Sequence, residues 1–77
     1  MKGRPIQKRI GEAVRARREA SGLSQEAFAA AYGIPLSNIR QYEIARHMPP
    51  PAVRAYLKVI DAEPDLVARA VAADEAA

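Results

Sequence analysis

Four polar side chains of the types that bond nucleic-acid bases lie close together in the middle of the chain. They are Ser37, Asn38, Arg40 and Gln41, and they occur within five consecutive positions. Arginine and amide side chains form paired hydrogen bonds with base edges, and all four residues can also bond phosphate oxygens. The alternative is a solvated helix face, but such faces more often carry Lys and Glu. These residue types make the segment a candidate for contacts to nucleic-acid bases.

Few residues of the chain are suited to catalysis or metal binding. His47 is the single histidine, it precedes a proline-rich segment, and there is no cysteine. No acidic residues have the spacing of metal ligands. Ser21, Ser24 and Ser37 fit helix ends or the surface better than a nucleophilic role. We predict that the chain is not an enzyme and uses no metal or other cofactor.

The charge is distributed unevenly along the chain. The net charge is +3, but residues 1–22 carry seven Lys or Arg and two Glu, whereas residues 61–77 carry one Arg and five acidic residues. A basic front half with an acidic tail predicts a polyanion-binding face on one side of the molecule.

The composition predicts a single helical domain with a thin core. The 77 residues are 49% hydrophobic but only 5% aromatic, and much of the apolar fraction is alanine. Alanine favours helix but buries little area, so we expect a net stability of only about 3–5 kcal/mol, which dimerisation would supplement. No apolar run approaches the roughly 20 residues that span a bilayer, and no signal-peptide pattern occurs. We expect a soluble, cytoplasmic protein that is nucleoid-associated when bound to DNA and has no membrane partner.

Hydrophobic spacing predicts an all-α fold, a compact bundle of about five short helices. Residues 1–5 are interpreted as a flexible basic arm, 6–72 as the domain and 73–77 as a frayed acidic tail. Gly22 and Gly33 are suited to end the first two helices, and Ser24 is suited to cap the second. The third helix is predicted over about 36–45, and the last two open at Pro51 and Pro64.

The central pair of short helices predicts a helix-turn-helix at about residues 24–45. The helices are separated by Gly33, Ile34 and Pro35, and alanines at 27, 29, 30 and 31 allow the first of them to approach a neighbour closely. This combination suits two helices joined by a tight glycine-containing turn. Any other small helical bundle would also fit the pattern.

Two charges are predicted to point into the core from different helices. On the wheel of the third helix, Glu43 falls beside Ile39 and Tyr42. Arg18 occupies the next position on the stripe of Ile10 and Val14. Because a buried charge is costly unless paired, we predict a structural Arg18–Glu43 ion pair that fixes the first helix to the third. The alternative is that both side chains reach solvent.

Several runs of the sequence carry a family resemblance. LSQEAFAAAYG at 23–33, followed by IPLSNIRQYE at 34–43, resembles the Xre/Cro family of phage repressors and bacterial regulators. PPPAVRAYLKVI at 49–60 and EPDLV at 63–67 look most like its HigA/NadS-type branch. The resemblance covers about residues 15–71. It implies a lambda-repressor-like DNA-binding domain, and commonly an antitoxin that represses its own toxin–antitoxin operon.

The resemblance also assigns roles to individual residues. It implies that residues of the third helix lie over the major groove, namely Leu36, Ser37, Arg40 and Gln41. Leu36 could touch a thymine methyl group or complete the core, and we prefer the core. Contacts to DNA phosphates are expected from Gln25, Asn38 and Arg46. The chain departs from the family at Ala45, where relatives usually have Gly, and at Pro35, where many have Ser or Thr.

The expected partners are double-stranded DNA and a second copy of the chain. One short helix reads few base pairs, so a homodimer on a palindromic operator with half-sites about 34 Å apart is expected. The predicted dimer surface lies mainly on the fifth helix and comprises Leu66, Val67, Ala70 and Val71, although this strip could pack inside the monomer instead.

The main alternative is a protein-interaction module that binds and neutralises a toxin. A basic toxin would be attracted by the acidic residues near the C-terminus, Asp61, Glu63, Asp65, Asp74 and Glu75. The same residues could serve only solubility and separation from DNA phosphates. RNA binding is less well supported, because exposed aromatic platforms are lacking.

Overall fold

The structure is a computed structural model, and it describes residues 5–76 of the chain. It contains five α-helices: α1 (Pro5–Ala20), α2 (Gln25–Tyr32), α3 (Leu36–Glu43), α4 (Pro51–Ala62) and α5 (Pro64–Ala76). No strand occurs in the described range. The predicted all-α bundle of about five helices is therefore confirmed.

The helix ends follow the local chemistry of the sequence. Gly22 and Gly33 adopt left-handed conformations, with φ of 72° and 67°, just after α1 and α2. The Ser24 side chain accepts a hydrogen bond from the Ala27 backbone N–H at 3.0 Å and caps α2. Pro51 lies in the first turn of α4, where a missing N–H costs nothing.

The end of α3 differs from the prediction. The helix stops at Glu43, not at about residue 45, because Ala45 takes a left-handed φ of 59°. The backbone N–H of Ala45 bonds the Tyr42 carbonyl at 3.0 Å, and that of Arg46 bonds the Gln41 carbonyl at 2.9 Å. This pair of bonds is a Schellman motif, which usually places glycine where Ala45 stands.

The chain ends also differ in part from the expectation. Pro5, assigned to the flexible arm, is the first residue of α1, while residues 1–4 of that arm lie outside the described residues. At the other end, α5 includes residues 73–76 of the segment predicted as an acidic tail. The run is rich in alanine, the best helix former.

The core lies where the helices meet. Phe28, Ile39 and Ile60 are fully buried, and Phe28 packs on Tyr32 with ring centroids 4.8 Å apart. Around them pack the half-buried apolar residues of the predicted stripes on α1, α4 and α5, among them Ile10, Leu57 and Val71.

Helix packing brings α3 against both α1 and α2, while α5 contacts α2 and α4. Gly11 allows α1 to pack closely against α3, because a Cβ at this position would clash with the Tyr42 carbonyl oxygen. The hydroxyl of Tyr56 on α4 donates to the Tyr32 carbonyl at 2.6 Å. The pKa of Tyr56 lies above its ordinary value, mainly because the side chain is buried and to a smaller extent because Tyr32 is nearby. None of the helices within residues 5–76 is long and apolar enough to cross a membrane.

Candidate nucleic-acid interface

Helix α3 has one buried and one exposed face, as its wheel predicts. Ile39 and Tyr42 are buried against the core. Ser37, Asn38 and Arg40 are exposed and share the outer side of the helix. The structure thus presents three of the sequence-selected polar side chains to solvent on a single short helix.

Arg40 is already engaged by an acidic neighbour on α2. Its Nη2 atom lies 3.7 Å from Oε2 of Glu26, and both side chains are more than half exposed. An exposed pair at this distance contributes little, about 0–1 kcal/mol. Arg40 is therefore free to exchange Glu26 for another acceptor at small cost.

One residue of α3, Gln41, lies differently from the simple wheel. Gln41, expected on the outer face, is half-buried, and its Oε1 atom is buried without a hydrogen-bond partner among residues 5–76. Leu36 is half-buried and packs against the core. Ile44, directly after the helix, is 58% exposed.

The orientation of α3 depends on a buried carboxylate. The Glu43 side chain is 0% exposed, and that of Arg18 is 16% exposed. Arg18 donates from Nε to Oε2 of Glu43 at 2.7 Å and from Nη2 to Oε1 at 3.0 Å. Its Nη1 donates to the Leu23 carbonyl at 3.1 Å. This bidentate geometry is the strong form of an arginine–carboxylate pair, and it joins α1 to α3.

Two further side chains complete the environment of Glu43. The side-chain amide of Gln25 donates to Oε1 at 3.2 Å, and Arg15 Nε lies 3.5 Å from the same oxygen. We call Arg15, Arg18, Gln25 and Glu43 the Glu43 cluster. It contains residues of α1, α2 and α3, so it fixes these three helices relative to one another.

The electrostatics of the cluster favour an ionised Glu43. Burial by itself raises the pKa of this carboxyl. The hydrogen bonds from Arg18 and Gln25 and the Arg18 charge outweigh burial, so the pKa lies below its ordinary value. The hydrogen bond to Glu43 in turn raises the pKa of Arg18. Glu43 therefore remains charged in its buried site at neutral pH.

The residues expected at DNA phosphates are spread around α3. Asn38 and Arg46 are exposed, the latter just beyond the C-terminal end of α3. Gln25 begins α2 but is half-buried, and one of its amide N–H groups is used on Glu43. A primary amide has two such donors, so the second N–H is the one left for another acceptor.

The parts of this site that depend on close packing between helices were not predicted from the sequence. Neither Arg15 nor Gln25 was placed beside Glu43, and Gly11 was not singled out. A signal for the residues of α1 was present, because Gly11, Arg15 and Arg18 follow the i, i+4, i+7 spacing of one helix face.

The fold and the site together define a class. Helices α2 and α3 are joined by the short turn of Gly33, Ile34 and Pro35, and α3 presents its polar side outward. This is the arrangement of a helix-turn-helix, whose second helix enters the major groove of DNA. No group of three or more His, Cys, Asp or Glu able to hold a metal ion is found in the described part of the chain.

Comparison with protein families places the chain in this class. The family model described as helix-turn-helix domain matches residues 9–70, most of the chain. The chain belongs to the helix-turn-helix domain family. Searches of curated proteins and of solved structures gave no significant match.

Proposed function

We propose that this chain is a sequence-specific, double-stranded-DNA-binding transcriptional regulator, with α3 as its recognition helix in the major groove. The observation that carries the proposal is the exposure of Ser37, Asn38 and Arg40 on a helix whose orientation is fixed by the buried Glu43. A base-reading helix needs polar side chains on a rigidly placed support, because small displacements break hydrogen bonds.

The proposed base contacts come from the α3 residues Ser37, Arg40 and Gln41, with a minor apolar contact from Leu36. Arg40 suits a guanine, whose O6 and N7 accept two hydrogen bonds. Gln41 has its amide oxygen buried, so in this conformation only its NH₂ group is left to donate to a base acceptor. Phosphate contacts are assigned to Gln25, Asn38 and Arg46, which fix the register on the duplex.

The regulator is proposed to act as a homodimer on a palindromic operator. Leu66 is 54% exposed on α5, while Val67 is buried and Val71 is half-buried within the monomer. The dimer contact therefore centres on Leu66 and the neighbouring exposed Ala70. Leu66→Glu is expected to weaken DNA binding without unfolding the domain. A dimer mass unchanged by this substitution in light scattering contradicts the assignment.

The finer biological role follows the resemblance to the HigA/NadS-type branch of the Xre/Cro family. We propose a cytoplasmic repressor of its own operon, in the manner of an antitoxin. Repression needs only occupancy of the operator, which a small DNA-binding domain can provide.

A second candidate function is toxin binding through α4 and α5. Val59 and Leu66 are each about half exposed, and acidic side chains such as Asp61 and Asp65 are exposed nearby in sequence. An apolar surface with acidic neighbours suits a basic protein partner.

The proposal is tested by fluorescence anisotropy with the duplex upstream of the gene and a scrambled duplex at two salt concentrations. We expect the upstream duplex to bind about a thousandfold more tightly. Gln41→Ala is expected to remove this preference, whereas Gln25→Ala weakens both duplexes equally. Equal and steeply salt-dependent binding to both duplexes contradicts sequence-specific recognition. Binding to neither favours the toxin-binding function.

A further inference from the structure

An open groove between α1 and α4 lies apart from the residues proposed to contact DNA. It has a volume of about 410 Å³, within the roughly 300–1,000 Å³ typical of small-molecule sites. Its apolar lining includes Ile10, Val14 and Leu57. Ile10 and Leu57 are only half-buried, so the groove exposes apolar surface that a ligand could cover.

The charged residues of the groove are unbalanced. Arg17, Arg54 and Lys58 line it together with a single acid, Asp61. Asp61 is paired with Arg17, since its Oδ1 accepts from Nε at 2.9 Å. Arg54 and Lys58 form no ion pair with any residue in the described range. The groove therefore carries two positive charges without a counter-charge.

The position of these two cations favours an anionic ligand. Arg54 and Lys58 are four residues apart on α4, where like charges repel. Arg54 is half-buried, and the one hydrogen bond that it makes within the described part of the chain, from Nη1 to the Pro49 carbonyl at 2.7 Å, occupies one of its five N–H donors. A bound anion would relieve the repulsion and use the remaining donors.

We propose that this groove binds a small organic carboxylate with an apolar body, of the fatty-acid class. The carboxylate lies against Arg54 and Lys58, and the hydrocarbon covers the exposed parts of Ile10 and Leu57. The apolar lining distinguishes this ligand from inorganic phosphate or a DNA phosphate, which would leave those side chains in water. The proposal does not depend on DNA binding.

Decanoate is the probe that tests this site. It is titrated below its micelle-forming concentration into the full 77-residue chain labelled with ¹⁵N. We expect saturable shifts of backbone amides confined to α1 and α4, and binding of decanol about tenfold weaker because it lacks the charge. Equal binding of decanoate and decanol, or shifts centred on α5, contradicts the proposal.

Matched variants locate the ligand. Ala13 lines the groove and is exposed, so Ala13→Trp fills the space, whereas the exposed Ala16 lies outside the lining and Ala16→Trp is its control. We expect only the first variant to abolish decanoate binding, with circular dichroism showing that both remain helical. Retained binding in Ala13→Trp overturns the site.

The charge is tested separately. Lys58→Gln is expected to weaken decanoate binding about fivefold. Arg69→Gln, which removes an exposed cation of α5 outside the groove, is expected to leave it unchanged. Equal effects of the two substitutions show attraction to net charge alone and contradict an anion site on α4.

Discussion

The first three helices and the last two are held together by different kinds of interaction. Helices α1, α2 and α3 meet around a buried carboxylate that receives directional hydrogen bonds from Arg18 and Gln25. Helices α4 and α5 contribute mainly apolar side chains such as Ile60 and Val67 to the core. The polar link of α4 to α1 is the pair Arg17–Asp61, in which Asp61 is more than half exposed.

This difference matches what each region is proposed to do. Hydrogen bonds of fixed geometry resist rotation of one helix against another, as a recognition helix requires. Apolar packing is less directional and leaves Val59 and Leu66 about half exposed, available to a partner. Substitutions in the Glu43 cluster are therefore expected to change both the stability of the domain and its DNA binding. Substitutions on the exposed surfaces of α4 and α5 are expected to change association with a second copy or with another protein.

The largest effect is expected from Glu43→Gln. The substitution leaves the Arg18 guanidinium largely buried without its counter-charge, so we expect a loss of about 3 kcal/mol in the free energy of unfolding. Urea denaturation measures it. Glu26→Gln is the matched control, because the exposed pair of Glu26 with Arg40 should contribute less than about 1 kcal/mol.

Since Glu43→Gln could unfold so small a domain, a double variant accompanies it. Arg18→Met with Glu43→Leu removes both charges and is expected to recover most of the lost stability, because no buried charge is left unpaired. Equal losses for Glu43→Gln and Glu26→Gln, or no recovery in the double variant, contradict a decisive role of the buried pair.

Gly11→Ala is expected to have the next largest effect. The added methyl group meets the backbone of α3 at the Tyr42 carbonyl, so we expect a loss of about 2 kcal/mol together with weaker DNA binding. Gly22→Ala is the control, as its methyl group meets nothing and only its left-handed φ is strained. The melting temperature shows which of two opposing effects is larger. The steric clash with α3 lowers it, whereas the higher helix propensity of alanine alone would raise it.

Acid is expected to weaken the same cluster without a substitution. Because the pKa of Glu43 is lowered in the folded state, its contribution is fully present above the unfolded pKa of about 4.3 and is lost as the pH falls through the folded value. Urea midpoints of the wild type should therefore decrease below about pH 4.3 more steeply than those of the Arg18→Met, Glu43→Leu double variant. Parallel pH profiles would show that Glu43 does not carry this dependence.

Ala45→Gly is expected to give the smallest effect, and a stabilising one. Alanine at a left-handed φ is strained, so glycine should raise the free energy of unfolding by about 1 kcal/mol. Ala30→Gly, at an exposed position inside α2, is expected to lower it by a similar amount, about 1 kcal/mol. Melting temperatures that change in the same direction for both variants contradict the strain at Ala45.

The parts predicted well from sequence were those with local signals. Ser24, Gly22 and Gly33 mark helix ends because their side-chain chemistry or φ preference acts within a few residues. The wheel placed Ile39, Glu43 and Arg40 on their observed faces because α3 is a regular helix.

The parts that sequence did not predict depend on tertiary contacts or on unusual local conformations. Alanine seldom adopts the left-handed conformation, so the residue type at position 45 gave no local signal that α3 ends at Glu43. The half-burial of Gln41 and the place of Gln25 beside Glu43 depend on how α2 and α3 pack. The wheel of a single helix contains no such information.

Selection of bound duplexes from a randomised DNA pool tests most directly whether α3 reads bases. We expect the wild type to enrich one motif with two symmetric half-sites, and we expect Arg40→Ala to relax the preference at one position of each half-site while the remaining positions persist. The absence of any enriched motif, or an identical motif from the wild type and Arg40→Ala, would contradict base reading by Arg40 on α3.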